Sequence, residues 1–368
     1  MGRPGSSARG IDRCRRSSRS SGRGCAPAWR ALAGLAPLIL GSLALAQDAA
    51  SLDPHLGIPE GGGPVDPGPT PAGIDGVSAV ECGRCHARHY REWRRSAHRS
   101  SFTNPLFEAE YQLRQRAYCD RCHAPREDAL AGIDCAVCHV RDGAVLNPTV
   151  SGEAPHESRE APELAGTLAC ARCHQFAFER QTELLQRTVE EWMDSPHRGT
   201  PCQGCHLPER GRGHHSHDLP GGLDRRLLRR AIEVEGRAER DGERTRVRLV
   251  LRADRAGHAV PTGDVFRQLE VRAWPAGAPR DAVRTVLRRR FRVDAAGHHE
   301  IADDRVPPRG PREVELVLEG RPARVDWEVA LWRASPERVR GLGLPERDVR
   351  RRLARGRLSV VPSQTAIP

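Results

Sequence analysis

The chain is basic, but much of its positive charge lies at one end. Of 368 residues, 59 are basic, all of them arginine, and the formal net charge is +11. Residues 1–46 hold eight arginines and one aspartate, which leaves +4 for the rest of the chain. Aromatic residues make up 4% of the sequence and do not alternate with basic stretches, so nucleic-acid binding is excluded as the reason for the charge.

The first 46 residues have the pattern of an export signal. An arginine-rich stretch precedes an apolar run over residues 31–46, which ends in a small-residue pattern, and we expect cleavage after Ala46. The run is short for a bilayer span and is interrupted by Gly34, Pro37 and Gly41. An uncleaved anchor is the alternative. Residues 47–79, rich in proline and glycine, are predicted to form a flexible linker.

Residues 80–222 contain five Cys-x-x-Cys-His motifs. Two thiols at this spacing reach the two vinyl groups of one porphyrin, and the next residue, a histidine, becomes the proximal iron ligand. A zinc half-site or a redox dithiol would not need that histidine, and histidine makes up only 16 of the 368 residues. The sequence predicts five covalent c-type haems, held by Cys82, Cys85 and His86; Cys119, Cys122 and His123; Cys135, Cys138 and His139; Cys170, Cys173 and His174; and Cys202, Cys205 and His206.

The same region has too few apolar side chains for an ordinary core, so porphyrin is expected to fill much of its interior. Two helices are predicted. One begins after Asn104, with Pro105 in its first turn, and runs to about Tyr118. The other runs from about Phe176 to Trp192, where apolar residues recur at helical spacing.

A short repeat in this region indicates candidate distal ligands. Residues 92–99 and 191–198 share Glu-Trp, serine, histidine and arginine at identical offsets. His98 and His197 are therefore the first candidates to complete six-coordinate irons, although each could instead be a solvated residue at a helix end.

Further histidines are candidates of lower rank. His217 follows the last motif and could fold back over the last ring. His156 could be a ligand or a surface residue, and His89 a ligand to a neighbouring haem or a helix-face residue. His258 either reaches back from the following domain as a ligand or fastens its own loop. His298 and His299 are expected in an exposed hairpin turn.

Residues 223–334 change to the two-residue alternation of strands. Examples are Val247, Leu249 and Leu251, and later Val325, Trp327 and Val329. The predicted fold class is α+β: a mostly helical or irregular multihaem domain followed by an antiparallel β-sandwich of immunoglobulin-like type. This second domain could pack on the haem domain, dock a partner or cover a haem edge.

Residues 335–368 are predicted to form an arginine-rich helical tail that begins near Pro345. The tail is either solvated or in contact with anionic lipid or an acidic partner.

Five segments between residues 79 and 275 resemble the multihaem cytochrome c superfamily that includes the tetrahaem electron carrier of ammonia-oxidising bacteria. They are AVECGRCHARHYREWRRSAHRSSF, GIDCAVCHVRDG, CARCHQFAF, SPHRGTPCQGCHLP and AGHAVPTGD. The resemblance implies closely packed, mostly bis-histidine haems that pass electrons. Related nitrite reductases use a proximal lysine at the catalytic haem, and this chain has no lysine. Related hydroxylamine oxidases need more haems and a cross-linked tyrosine, and only three tyrosines are present.

The sequence thus predicts an exported electron carrier on the periplasmic or extracellular side of a bacterial membrane. The expected partners are respiratory redox proteins, with a membrane-associated quinol oxidase or reductase complex and further copies of the chain as candidates. Two alternatives stay open. One is an oxidoreductase whose single open-site haem acts on a small nitrogen or sulfur compound. The other is a subunit of an extracellular cytochrome filament.

Overall fold

The computed structural model describes residues 65–126, 128–150, 152–178, 181, 183–211 and 213–362. They all belong to one compact unit. The predicted export signal lies outside the described residues, as does the first part of the predicted linker. The described part of the linker is packed against the fold: the Val65 N–H donates to the Pro125 carbonyl at 2.7 Å, and the Glu157 N–H donates to the Ala72 carbonyl at 3.1 Å.

Short helices build the motif region, residues 80–222, and three of them have a side-chain N-cap, from Ser78, Asn104 and Asp134. The Ser78 hydroxyl accepts a hydrogen bond from the Glu81 N–H, and the Glu81 carboxylate accepts one from the Ser78 N–H. Asn104 caps the third helix, with Pro105 at its first position, which confirms the predicted start of that helix. The helices are α1 Ala79–Cys85, α2 Ala87–Trp93, α3 Pro105–Leu113, α4 Ala117–His123, α5 Cys135–His139, α6 Leu168–His174, α7 Thr188–Met193 and α8 Cys202–His206.

Two small sheets lie between these helices. The first contains β1 Val140–Arg141, β2 Ala144–Asn147 and β3 Ser158–Glu160, and the second is the antiparallel hairpin of β4 Gln175–Ala177 and β5 Leu184–Arg187. The helix predicted from Phe176 to Trp192 is therefore wrong over most of its length, and only α7 at its end is helical. Tertiary contacts explain the difference, because the buried Arg289 guanidinium donates to the carbonyls of Leu184 and Leu185.

The sheet region, residues 223–362, begins with helix α9, Arg225–Ala231, and is otherwise mostly strands. Its helices α10 and α11 are Pro336–Gly341 and Glu346–Val349. Its strands are β6 Glu233–Asp241, β7 Arg244–Arg252, β8 Gln268–Pro275, β9 Val283–Leu287, β10 Arg289–Asp294, β11 Gly297–Asp303, β12 Pro311–Glu319, β13 Arg324–Trp332 and β14 Arg350–Val361.

Seven of these strands form one large sheet in the order β12-β7-β6-β14-β13-β8-β9. Neighbours are antiparallel except β14 and β6, which pair in parallel at their ends. The sheet is nearly closed, since β12 also lies against β8 and β9. The fold is thus α+β, as predicted, and its large sheet curls on itself. The predicted immunoglobulin-like sandwich of two sheets is not confirmed. A separate hairpin, β10 and β11, reaches the motif region.

The tail is the largest departure from the sequence prediction. Where a helix was predicted, β14 pairs with β13 and occupies the middle of the large sheet. Leu353 is the extra residue of a bulge, and Leu358 packs on the core. This alternation was missed in the sequence, because the many neighbouring arginines favoured the prediction of a solvated helix.

Ordinary hydrophobic packing is concentrated in the sheet region. The fully buried side chains there include Leu249, Leu251, Leu269, Val271 and Val325, which form one apolar cluster with the inward face of the large sheet. No helix among the described residues is long and apolar enough to cross a bilayer.

Candidate haem-binding site

Every Cys-x-x-Cys-His motif lies on a short helix or at its end: α1 with His86 as its C-cap, then α4, α5, α6 and α8. The second cysteine and the histidine follow the first cysteine by three and four positions, so a helix places all three side chains on the same side. The ten described cysteines are free thiols. Each motif therefore presents the three groups that covalent haem attachment requires.

Contacts between thiols bring the motifs together in a definite order. The thiol of Cys135 in the third motif lies close enough to Cys82 of the first to lower the pKa of Cys82. In the same way, Cys173 of the fourth motif raises the pKa of Cys122 of the second, and Cys202 of the fifth raises the pKa of Cys170 of the fourth. Burial raises the pKa of Cys138 of the third motif, and the nearby Cys173 raises it further. The first motif thus adjoins the third, and the fourth adjoins the second, third and fifth.

Four motif histidines each face a second histidine across a similar gap. The ring centroids are 6.4 Å apart for His86 and His156, 6.5 Å for His174 and His98, 6.2 Å for His139 and His217, and 6.5 Å for His206 and His258. A metal–imidazole bond is about 2 Å, so two imidazoles on opposite sides of one iron have centroids roughly 6 Å apart. All four centroid distances fit an iron ion held between two imidazoles.

Two of these histidines have solvent-accessible surface, although the surrounding protein strongly desolvates their rings. His174 is exposed, yet burial, followed by the charges of nearby groups such as His98, lowers its pKa to about 3. His98 is half-buried and burial lowers its pKa to about 4. A side chain that faces a space enclosed by the fold would give both observations. A lowered pKa also keeps the imidazole neutral near pH 7, the form that binds metal.

Backbone carbonyls orient several of these imidazoles. The Nδ1 atoms of His123, His139, His217 and His258 lie 2.8 to 3.0 Å from the carbonyl oxygens of Ser101, Leu146, His215 and Ala259. An Nδ1–H donor leaves Nε2 unprotonated and directed away from the backbone. This arrangement selects the tautomer that metal-ligating histidines use.

His197 does not face a motif histidine, although the repeat ranked it with His98. Its Nε2 lies 2.7 Å from the Asp254 carbonyl oxygen, and the ring lies beside Gly257. The Trp192 indole N–H donates to the carbonyls of His197 and Thr200, which holds the second copy of the repeat against its own chain. In the first copy, Trp93 donates instead to the distant Ile133 carbonyl.

His123 of the second motif differs from the other motif histidines. Among the described residues no other histidine ring faces it, and the Phe107 ring is stacked on it at 3.8 Å. Phe102 and Tyr111 extend this aromatic cluster. Asp264, Arg333 and Arg267 of the sheet region lie close enough to affect the pKa of His123, which burial lowers.

The remaining histidines have structural partners. His89 packs against His214 and His217, and burial followed by the charge of His217 lowers its pKa to about 4. His298 is not exposed as predicted: its ring stacks on Phe178 at 3.9 Å. His299 lies 3.1 Å from Asp294 in the β10–β11 hairpin.

Sequence reasoning missed the groups that anchor the sheet region to the motif region. Glu191 is 6% exposed and accepts a hydrogen bond from the Thr262 hydroxyl at 2.5 Å. The guanidinium of Arg305, 4% exposed, lies 2.7 Å from the Glu191 carboxylate and 2.8 Å from Asp303. The only sequence feature that pointed to these groups was the repeat, which aligns Glu92 with Glu191 but does not show the partner of either.

No protein-family model matches the chain, and no curated protein is significantly similar to it. Among solved structures, the fold is similar to the crystal structure of a penta-heme cytochrome c552 from Thermochromatium tepidum. The TM-score is 0.63 at 20% sequence identity, and the match covers 78% of this chain and 99% of that chain. The neighbour's haem number equals the number of motifs found here. The chain therefore has the fold of a multihaem c-type cytochrome.

Proposed function

We propose that this chain is an exported pentahaem c-type cytochrome that carries electrons between redox partners. The pairing of four motif histidines with a second histidine, at centroid distances of 6.2 to 6.5 Å, carries this proposal. An iron with two imidazole ligands supplies reversible one-electron chemistry and keeps no position for a substrate.

The ligand roles follow from the pairs. The two cysteines of each motif would fix one porphyrin, and the five motif histidines would bind iron from the proximal side. His156, His217, His98 and His258 would complete the first, third, fourth and fifth sites respectively. The sheet region has a defined role in this scheme, because its loop brings His258 opposite His206.

The order of the motifs supports conduction through the molecule. Thiol contacts link the first motif to the third, and the fourth motif to the second and fifth. The third and fourth are also adjacent. The fourth motif is then a junction, and the first, second and fifth lie at the ends where partners would exchange electrons. The partners we propose are respiratory redox proteins, a membrane-associated quinol oxidase or reductase complex among them.

Haem quantitation and low-temperature electron paramagnetic resonance of the oxidised protein test the proposal. We expect five haems per chain and predominantly low-spin signals. His98→Ala should convert one low-spin component to high spin, whereas His197→Ala, the matched variant from the repeat, should leave the low-spin components unchanged. Fewer than five haems, or a spin change in His197→Ala and none in His98→Ala, would overturn it.

A second candidate function rests on His123. Since no described histidine faces it, the second site is the one place where a small nitrogen or sulfur compound could bind iron. Arg267 and Arg333 lie near His123 and would attract an anion. This candidate predicts a high-spin ferric signal in the unmodified protein, which added cyanide removes. An entirely low-spin spectrum contradicts it.

A further inference from the structure

Both copies of the repeat bury a glutamate that belongs to no haem motif. Glu92 is 8% exposed and Glu191 is 6% exposed. Each lies near the end of a short helix, α2 or α7, directly before a tryptophan. A buried carboxylate needs partners, because an uncompensated charge in the interior is strongly destabilising. The partners of the two glutamates are therefore informative.

Glu92 binds the segment that carries His217. The His217 backbone N–H donates to Oε2 of Glu92 at 2.8 Å, and Nε2 of His214 lies 3.0 Å from both carboxylate oxygens. The positive partner Arg88 is farther away, at 3.5 Å, and half of its side chain is exposed. The main contacts of Glu92 thus lie on residues 214–217, more than a hundred positions later in the chain.

Glu191 binds the loop that carries His258. The Thr262 hydroxyl donates to one carboxylate oxygen at 2.5 Å, and Arg305 contacts the other at 2.7 Å. Arg305 in turn donates to the Pro261 carbonyl at 3.0 Å. The Thr188 hydroxyl, on the same helix as Glu191, also lies 2.8 Å from the Thr262 hydroxyl. Helix α7 therefore holds the loop directly and through Arg305.

We propose that the glutamate of each repeat copy is the positioning residue for a distal histidine, Glu92 for His217 and Glu191 for His258. This inference rests on the ligand assignment proposed above. Neither distal segment belongs to the helix that fixes it, so the carboxylate ties a remote stretch of chain to the motif region. In each copy of the repeat the glutamate thus positions a distal histidine from another part of the chain. The histidine of the repeat itself need not be an iron ligand in both copies.

The alternative is that each glutamate only neutralises a nearby arginine. Glu328 provides a matched control for that role. It is 8% exposed and pairs with Arg272 at 2.9 Å and with Arg350, but it lies on β13 of the large sheet. Glu328→Gln should lower stability without changing any haem signal.

The test compares Glu92→Gln and Glu191→Gln with His217→Ala and His258→Ala in the haem-loaded protein. Each histidine variant identifies the low-spin component of its own site. Each glutamine variant should broaden or shift that same component and raise the cyanide affinity of that site, because a less firmly held histidine is displaced from iron more easily. Loss of an outer-shell partner typically weakens ligation by about 10–100-fold, so we expect a change in cyanide affinity of about tenfold. Glu92→Asp and Glu191→Asp keep the charge and should restore part of the wild-type behaviour, and they replace the glutamine variants if those do not fold.

The outcomes separate the two proposals. If His217→Ala and His258→Ala leave the low-spin components unchanged, the ligand assignment fails. If those variants change the spectrum while the glutamine and aspartate variants behave like Glu328→Gln, the assignment stands and the positioning role is overturned.

Discussion

Single positions in this fold are constrained by what lies opposite them across the sheet. Gly356 of β14 is paired with Trp327 of β13, and a Cβ atom at Gly356 would lie 2.6 Å from the Trp327 indole. Trp327 is itself 7% exposed, so the indole has little room to move. The sequence shows the glycine but not its partner, because the pairing joins two strands separated by helices α10 and α11.

Gly356→Ala should therefore destabilise the protein. Overpacking of this kind costs about 1–3 kcal/mol of unfolding free energy. Urea unfolding followed by circular dichroism measures the change. Gly341→Ala is the control: a Cβ there has no neighbour within 4 Å, and alanine favours the helix, so its stability should equal or slightly exceed that of the wild type. Equal stability of the Gly356 and Gly341 variants would contradict the packing argument.

Whole elements show where periodicity was sufficient and where it failed. Strand β7 follows the predicted alternation, because one of its faces packs on the core, whereas β13 is buried on both faces from Trp327 to Trp332. Helix α3 begins where Asn104 and Pro105 predicted. Two predicted helices contain strands instead: residues 176–177 and 184–187 lie in β4 and β5, and residues 350–361 form β14. In both, contacts with a distant strand or side chain outweigh a local pattern that was ambiguous over a short stretch.

Because β14 lies between β6 and β13, the chain should not tolerate its loss. Ending the chain after Val349 leaves the edge of β13 unpaired and removes Leu353 and Leu358 from the core cluster. We expect insoluble protein, or soluble protein without the β signal in far-ultraviolet circular dichroism. A chain ending after Pro362 keeps all of β14 and should fold normally. Normal folding of both truncated chains would show that β14 is dispensable.

At the level of the whole molecule, an ion-pair network joins the motif region to the sheet region. Arg187 of β5 pairs with Asp303 and with Glu300, at 3.2 Å, while Arg305 pairs with Asp303 and Glu191. Burial would raise the pKa of Asp303, but hydrogen bonds and charge from Arg305, with the charge of Arg187, outweigh burial and hold that pKa well below its usual range. The junction that places His258 is therefore sensitive to acid.

The sign of this sensitivity follows from linkage. An unfolded aspartate titrates near about pH 3.9, so the stability that Asp303 adds is fully present above that pH and is lost as the pH falls below it. Thermal unfolding should show a difference between wild type and Asp303→Asn that is large at pH 6 and shrinks towards pH 3. The melting temperature of the Asp281→Asn variant, changed at an exposed position, should follow that of the wild type over the same pH range. A constant difference for Asp303→Asn would contradict the assignment of its charge to this network.

The five Cys-x-x-Cys-His motifs could be read from the sequence because their chemistry is local: two cysteines and one histidine within five residues occupy one helical turn. The alternation of the strands was readable for the same reason. The facing histidine of each pair could not be assigned in this way, since it lies far along the chain from its motif and its position depends on how loops and sheets pack. His98 and His197 occupy identical positions in the repeat, yet only His98 faces a motif histidine, because the Asp254 carbonyl and the Trp192 indole hold the second copy elsewhere. His258 shows the converse, as a loop of the sheet region is anchored by Glu191 and Arg305 opposite His206.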